Sequence, residues 1–178
     1  LGVESGCDAT LKLFSKIAKA QQNIDTIKLF ERADIYTGYG FILFHPYTSI
    51  EELKTNIDFL GRVPYADNML IYTNKMQIFH DVPLYNMVER DGLLTSDFSI
   101  ENPFGYRFQD ERMEWALKQT MLMSTTVYEA LWKYARYMDS VIQKAKKYET
   151  YSYVKELQEI NSRVKKIISQ KNLDYLTC

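Results

Sequence analysis

All seven glycines and all four prolines fall within the first 105 of the 178 positions. These two residues end helices and make turns. The chain must therefore be assembled from short elements over that part and from long, uninterrupted helices after it. Alternating strands and helices fit the first part, and two helices folded on each other fit the second.

The opening Leu1-Gly2-Val3-Glu4-Ser5-Gly6 is a short strand whose end carries a carboxylate and a hydroxyl on a glycine-flanked turn. A strand needs neighbours to satisfy its backbone groups, so a strand–turn–helix unit at the first residue is expected to be a piece of something larger. Asp8 is the expected N-cap of the helix that follows, with Leu11 and Phe14 starting its apolar stripe. Residues 23–33 continue as helix, with Ile24, Ile27 and Phe30 at three-residue intervals. Residues 36–44 form a nearly continuous apolar and aromatic run stopped by Pro46, the pattern of a strand buried on both faces of a parallel sheet. Ser49 with Glu52 three positions later is a capping-box pattern, and Ile50, Leu53, Ile57 and Leu60 make that helix's buried stripe up to Gly61. Further strands are expected at 68–72 and 76–79, and a short helix at 84–90 ending at Gly92.

Strands and helices alternating at this spacing build βαβ units. The fold class expected is α/β: a partial (β/α) barrel over residues 1–109, followed by an α-helical hairpin over 110–178. One helix is expected at 110–147 and another at 151–170, the latter with Val154, Leu157, Ile160, Val164 and Ile167 on its apolar side. Its other face carries Lys155, Arg163, Lys165, Lys166 and Lys171, most simply a solvated face, with contact to a phosphate-bearing partner as the alternative.

Net charge of −1 and a pI near 6.2 supply no general attraction to nucleic acid or anionic membranes. No apolar run approaches the ~18 residues that cross a bilayer, so neither nucleic acid nor membrane is expected as a partner. Cys7 and Cys178 are too few and too far apart for a zinc site, redox motif or disulfide framework, and a reduced, cytoplasmic setting follows as the expectation.

Chemistry is expected at the ends of the strands, where α/β proteins bind ligands. Glu4 and Ser5 lie at the first. A carboxylate there accepts hydrogen bonds from ribose hydroxyls or an ammonium group, or simply caps the turn. His45, in Phe44-His45-Pro46-Tyr47-Thr48, and His80, in Phe79-His80-Asp81-Val82-Pro83, follow later strands and are candidate acids, bases or donors. No His pair has metal-ligand spacing, and no Gly-rich phosphate loop, Gly-x-Ser-x-Gly or Cys/His nucleophile pattern occurs.

Three of these segments together resemble radical S-adenosylmethionine (SAM) enzymes. Leu1-Gly2-Val3-Glu4-Ser5-Gly6-Cys7-Asp8, with Leu11-Lys12 and Lys16, is similar to their fourth-strand region. Gly40-Phe41-Ile42-Leu43-Phe44-His45-Pro46-Tyr47-Thr48-Ser49 with Glu51-Glu52-Leu53 is similar to the fifth strand of the class that carries an upstream cobalamin-binding domain. Ile78-Phe79-His80-Asp81-Val82-Pro83-Leu84-Tyr85, ending at Gly92-Leu93-Leu94, resembles the sixth. The match covers roughly residues 1–95 in order. The resemblance implies that Glu4 and Ser5 contact the ribose or methionyl part of SAM, that Ile42 packs near its adenine, and that His45, Tyr72 and His80 face a small-molecule or peptide substrate. Departures occur at Phe44, where relatives often have glycine, at Tyr47-Thr48, and at His80-Asp81-Val82.

The family's Cys-x-x-x-Cys-x-x-Cys loop, which holds a 4Fe–4S cluster, is not in this sequence. The resemblance thus implies SAM, an iron–sulfur cluster and cobalamin as cofactors of an intact protein, with this chain contributing no metal ligand and no catalytic residue of its own. Two other readings stay open: a non-catalytic α/β-plus-helix binding module, and a fragment of an ordinary TIM-barrel hydrolase or lyase using His45 and His80 as acid and base. A half barrel would also leave an unpaired strand edge, so the isolated chain is expected to self-associate.

Overall fold

The computed structural model describes residues 1–35, 37–64, 68–80, 82–95, 105–125, 127–147 and 154–177. Its elements, in chain order, are β1 (Gly2–Glu4), α1 (Asp8–Leu13), α2 (Ala20–Arg32), β2 (Gly40–Phe41), α3 (Ile50–Gly61), α4 (Met69–Thr73), α5 (Pro83–Arg90), α6 (Arg112–Thr125), α7 (Val127–Lys147) and α8 (Val154–Thr177). β1 and β2 pair in parallel, with Gly2 opposite Gly40 and Glu4 opposite Phe41. Beyond β2, Phe44 forms a parallel bridge to Lys75, and Met76 N donates to Phe44 O at 2.8 Å. Three chain segments thus run parallel in the expected order.

That is less sheet than a partial barrel requires. Only two strands form among the described residues, and the chain is mostly helical. The strand expected over 36–44 shortens to Gly40–Phe41, with Tyr36 outside the described residues. No strand forms over 76–79. The strand expected over 68–72 is instead α4, because Asn68 Oδ1 accepts a hydrogen bond from Leu70 N at 3.1 Å and opens a helical turn. A five-residue apolar run has too short a period to separate the two states, and a side-chain cap decides it.

The helices with clear stripes form where expected. In α2, Ile24 and Ile27 are buried. Ser49 caps α3 by accepting from Glu52 N at 3.2 Å. Asp8 does not cap α1, whose N-cap is Cys7. Its Oδ1 instead accepts from Ala20 N at 2.8 Å, at the start of α2. α5 has proline in its first turn, and Gly92, at φ +68°, takes the left-handed conformation that glycine adopts without strain.

The helix expected over 110–147 is helical on both sides of position 126, which lies outside the described residues, and its two described parts are α6 and α7. Within α6, the Thr120 and Ser124 hydroxyls donate back to the carbonyls of Leu117 and Met121, which satisfies these polar groups inside the helix. α8 packs on α7 and also on α3. Asp139 of α7 accepts from Asn161 and Lys165 of α8. One core runs through the whole chain, from Val3, Phe41 and Leu43 through Phe59 and Leu60 to Met113, Ala135 and Ile168. No described helix is long and apolar enough to cross a membrane.

Candidate functional site

Alternation along the parallel pair gives the small sheet two faces. One face is buried: Val3, Phe41 and Leu43 pack toward the helices, with the Phe41 and Phe59 rings stacked at 5.7 Å. Gly2 and Gly40, opposite each other, lie on the other face; a register shift between Gly2 and Glu4 breaks the alternation at Glu4, and the backbone N–H of Ile42 donates to Glu4 O at 2.7 Å. On this face the side chains are missing where they would obstruct. A Cβ built on Gly2 would lie 3.1 Å from Glu4 Oε1, and one on Gly40 3.9 Å from Glu4 Oε2. The Glu4 carboxylate is thus folded over a floor of two paired glycines.

Glu4 itself is at φ +64°. A non-glycine residue pays of order 1–3 kcal/mol for such a backbone, and such outliers collect at ligand sites. Its single cationic neighbour among the described residues is Lys16, with Nζ 3.1 Å from Oε1 and both side chains open to solvent. The arrangement offers a carboxylate acceptor, the Lys16 ammonium and a side-chain-free backbone floor. Such a set suits a flat ring with hydroxyl or ammonium donors along one edge.

Ser5 does not join that face. Its hydroxyl is fully buried, donates to Asn56 Oδ1 at 3.0 Å and accepts from Cys7 N at 3.0 Å. Asn56 also accepts from Gly6 N at 2.8 Å, so α3 holds the turn that presents Glu4. Gly6 lets α3 come this close: a Cβ there would lie 2.3 Å from Phe59 Cβ.

His45 is 1% exposed. Its Nε2 lies 2.9 and 3.0 Å from the two Glu52 oxygens, and Tyr47 N donates to Nδ1 at 3.3 Å. A backbone N–H can only donate, so Nδ1 is the acceptor and the Nε2 hydrogen points at the carboxylate. Glu52 also accepts from Thr10 Oγ1 at 2.6 Å. The capping-box glutamate therefore does not return to its own helix start. It ties α1, the chain after β2 and α3 together in the interior.

His80 is exposed and its ring rests on Tyr85, centroids 4.5 Å apart. The two histidines have different neighbours and different environments, and the structure does not unite them as an acid–base pair. Asp81 lies outside the described residues. Tyr72 is fully buried in α4.

Sequence reasoning passed over Lys16 as the partner of Glu4, Asn56, the Glu52 link and Lys75. Only the i, i+4, i+7 spacing of Glu52, Asn56 and Phe59 on one helical face hinted at their shared task. Lys75 borders a cleft of about 370 Å³ next to Gly40, and its ammonium lies 4.5 Å from the Tyr106 ring centroid and 5.1 Å from that of Phe108. Burial pushes its pKa down, partly offset by Glu114. Among the described residues no cluster of His, Cys, Asp and Glu could hold a metal ion.

No family model matches the chain. A stretch of 63 residues, 35% of the chain, is 38% identical to 4'-phospho-dehydrooxetanocin synthase from Priestia megaterium, covering 8% of that protein. In three dimensions, 93% of the chain superposes on 29% of a cobalamin-dependent S-adenosylmethionine radical enzyme, OxsB, solved with aqua-cobalamin bound, with a TM-score of 0.51 and 21% identity. The chain spans under a third of the length of either protein. It is therefore related in sequence, over about a third of its length, to part of that synthase, and it has the fold of one segment of a radical SAM enzyme.

Proposed function

We propose that this chain is the segment of a cobalamin-associated radical SAM enzyme that lines the SAM- and substrate-facing side of its sheet. The observation that carries the reading is Glu4: a strained carboxylate held over paired Gly2 and Gly40 at the end of a parallel pair. SAM fits this set, because its ribose hydroxyls and its ammonium group are donors for a carboxylate and its adenine can lie against Ile42. An iron–sulfur cluster does not fit the chain's own residues, which include two cysteines at distant positions, Cys7 and Cys178. When SAM is bound in such enzymes, its reductive cleavage supplies the radical that removes a substrate hydrogen.

The role of this chain is orientation. Glu4 would exchange its solvent-exposed contact with Lys16 for the ligand's donors, and the glycine floor would let the ligand approach the backbone. The cleft beside Gly40 and Lys75 is the natural place for a small-molecule substrate, and cobalamin would belong to other parts of the intact protein.

Two measurements test the reading. The genomic sequence upstream should encode Cys-x-x-x-Cys-x-x-Cys roughly a hundred residues before Glu4, and a frame lacking it would refute the assignment. In the product of that frame, Glu4→Gln should weaken SAM binding about tenfold, the loss of one charge-assisted hydrogen bond. Equal SAM affinity in the variant would remove Glu4 from the site.

A further inference from the structure

α8 turns two faces toward the rest of the chain. Val154, Asn161 and Ile168 are buried on one of them. Next to it, Ser162, Lys165, Lys166, Ser169 and Gln170 recur at the spacing of a single helical face. They look across a cavity of about 480 Å³ at Lys28 and Glu31 of α2 and at Arg62 just after α3. A helical face turned toward a protein body is ordinarily apolar. Here it carries no apolar side chain, while Ile160 and Ile167 of the same helix are 43% and 57% exposed.

Lys28, Arg62, Lys165 and Lys166 meet in this cavity with one carboxylate, Glu31, in a chain whose net charge is −1. Two of the cations are held in place: Lys165 Nζ by Asp139 at 2.6 Å, and the Arg62 guanidinium by Gln21 at 2.8 Å and by Asp58 at 4.0 Å, which leaves Lys28 and Lys166 as the uncompensated pair. Lys28 and Lys166 have no ion-pair partner among the described residues. Gathering like charges costs energy unless an anion joins them. The cavity wall also includes the buried, apolar Leu60 and Val63.

We propose that this cavity binds a phosphorylated small molecule, its phosphate among Lys28, Arg62 and Lys166 and its apolar body on Leu60 and Val63. The volume lies within the range of small-ligand sites. Several cations flanked by the hydroxyls of Ser162 and Ser169 match a multiply charged, many-oxygened group better than a single carboxylate. A nucleic acid would call for an extended basic surface on a basic chain. The cavity shares no residue with the Glu4 face, so the inference stands independently of the proposed function.

Isothermal titration of the chain with pyrophosphate and with adenosine diphosphate tests it, alongside the double variant Lys28→Glu/Lys166→Glu. Lys144→Glu, the same charge change per site on α7, serves as the control, and circular dichroism verifies that each variant is folded. The expected result is saturable binding that weakens with added salt. The double variant should lose about a hundredfold in affinity, about tenfold per lysine, with Lys144→Glu unchanged. Amide resonances of Ser162 and Ser169 should shift on titration. No saturable binding of either probe, or an equal loss in the double variant and the control, would overturn the proposal.

Discussion

Replacing Glu52 with alanine should destabilise the chain far more than removing an ordinary surface carboxylate. The side chain accepts from Thr10 Oγ1 at 2.6 Å and faces His45 Nε2 at 2.9 and 3.0 Å, with Thr10, His45 and Glu52 all buried. Its removal strands two interior donors, each costing about 1–3 kcal/mol. The expected total is about 3–5 kcal/mol, as for breaking a buried charged interaction from one side. For a chain of this size each kcal/mol lowers the melting temperature by about 2–4 °C, so calorimetry should show a drop of roughly 6–20 °C. Glu52→Gln keeps one acceptor oxygen and should lose about half as much. A double-mutant cycle with Thr10→Val should be non-additive, since both changes break the same hydrogen bond. A loss below about 1 kcal/mol for Glu52→Ala, the range of exposed ion pairs, or strict additivity in the cycle, would show that the carboxylate does not join α1, His45 and α3 as described.

Gly6→Ala should cost about 1–3 kcal/mol by urea denaturation, because the new methyl meets Phe59 Cβ at 2.3 Å and Cγ at 2.5 Å; a neutral result would mean α3 does not press on the turn. Glu4→Gly should leave stability unchanged or raise it by up to about 1 kcal/mol, relieving the φ +64° backbone, so a marked loss would argue against strain there. Tyr47 is pushed up to about 12 by burial and by its hydrogen bond to Asp91, whose own carboxyl is held below its usual range by Arg90 and then Tyr47. A raised tyrosine value favours the protonated fold, so the advantage of wild type over Tyr47→Phe should be complete below pH 10 and fade as pH rises toward about 12. On the acid side it should fade as Asp91 protonates below its ordinary value of 3.8. A difference that stays flat across pH 10–12 would refute the bond. The isolated chain should self-associate through the β1 edge not paired to β2, and light scattering showing only monomer at high concentration would count against it.

Much of the helical structure is legible in the sequence. The Ser49 cap, Pro83 and Gly92, and the three-and-four spacing of apolar residues act within one or two turns, so local sequence suffices to place α2, α3 and α5. The absence of glycine and proline after position 105 likewise marked the long helices. The order of the three parallel segments was legible too. Their extent was not, and neither was the helical state of α4, because a strand exists only where a distant segment meets it and a five-residue apolar run serves either purpose. The same limit divided the candidate site. The polar end of β1 could be located from the sequence, whereas Ser5 turned inward to Asn56, 51 positions away, and His45 inward to Glu52. Residue types and local spacing determine which groups can make hydrogen bonds. Only the packing of α3 against β1 and β2 decides which of them end up facing each other in the interior and which are left to meet a ligand.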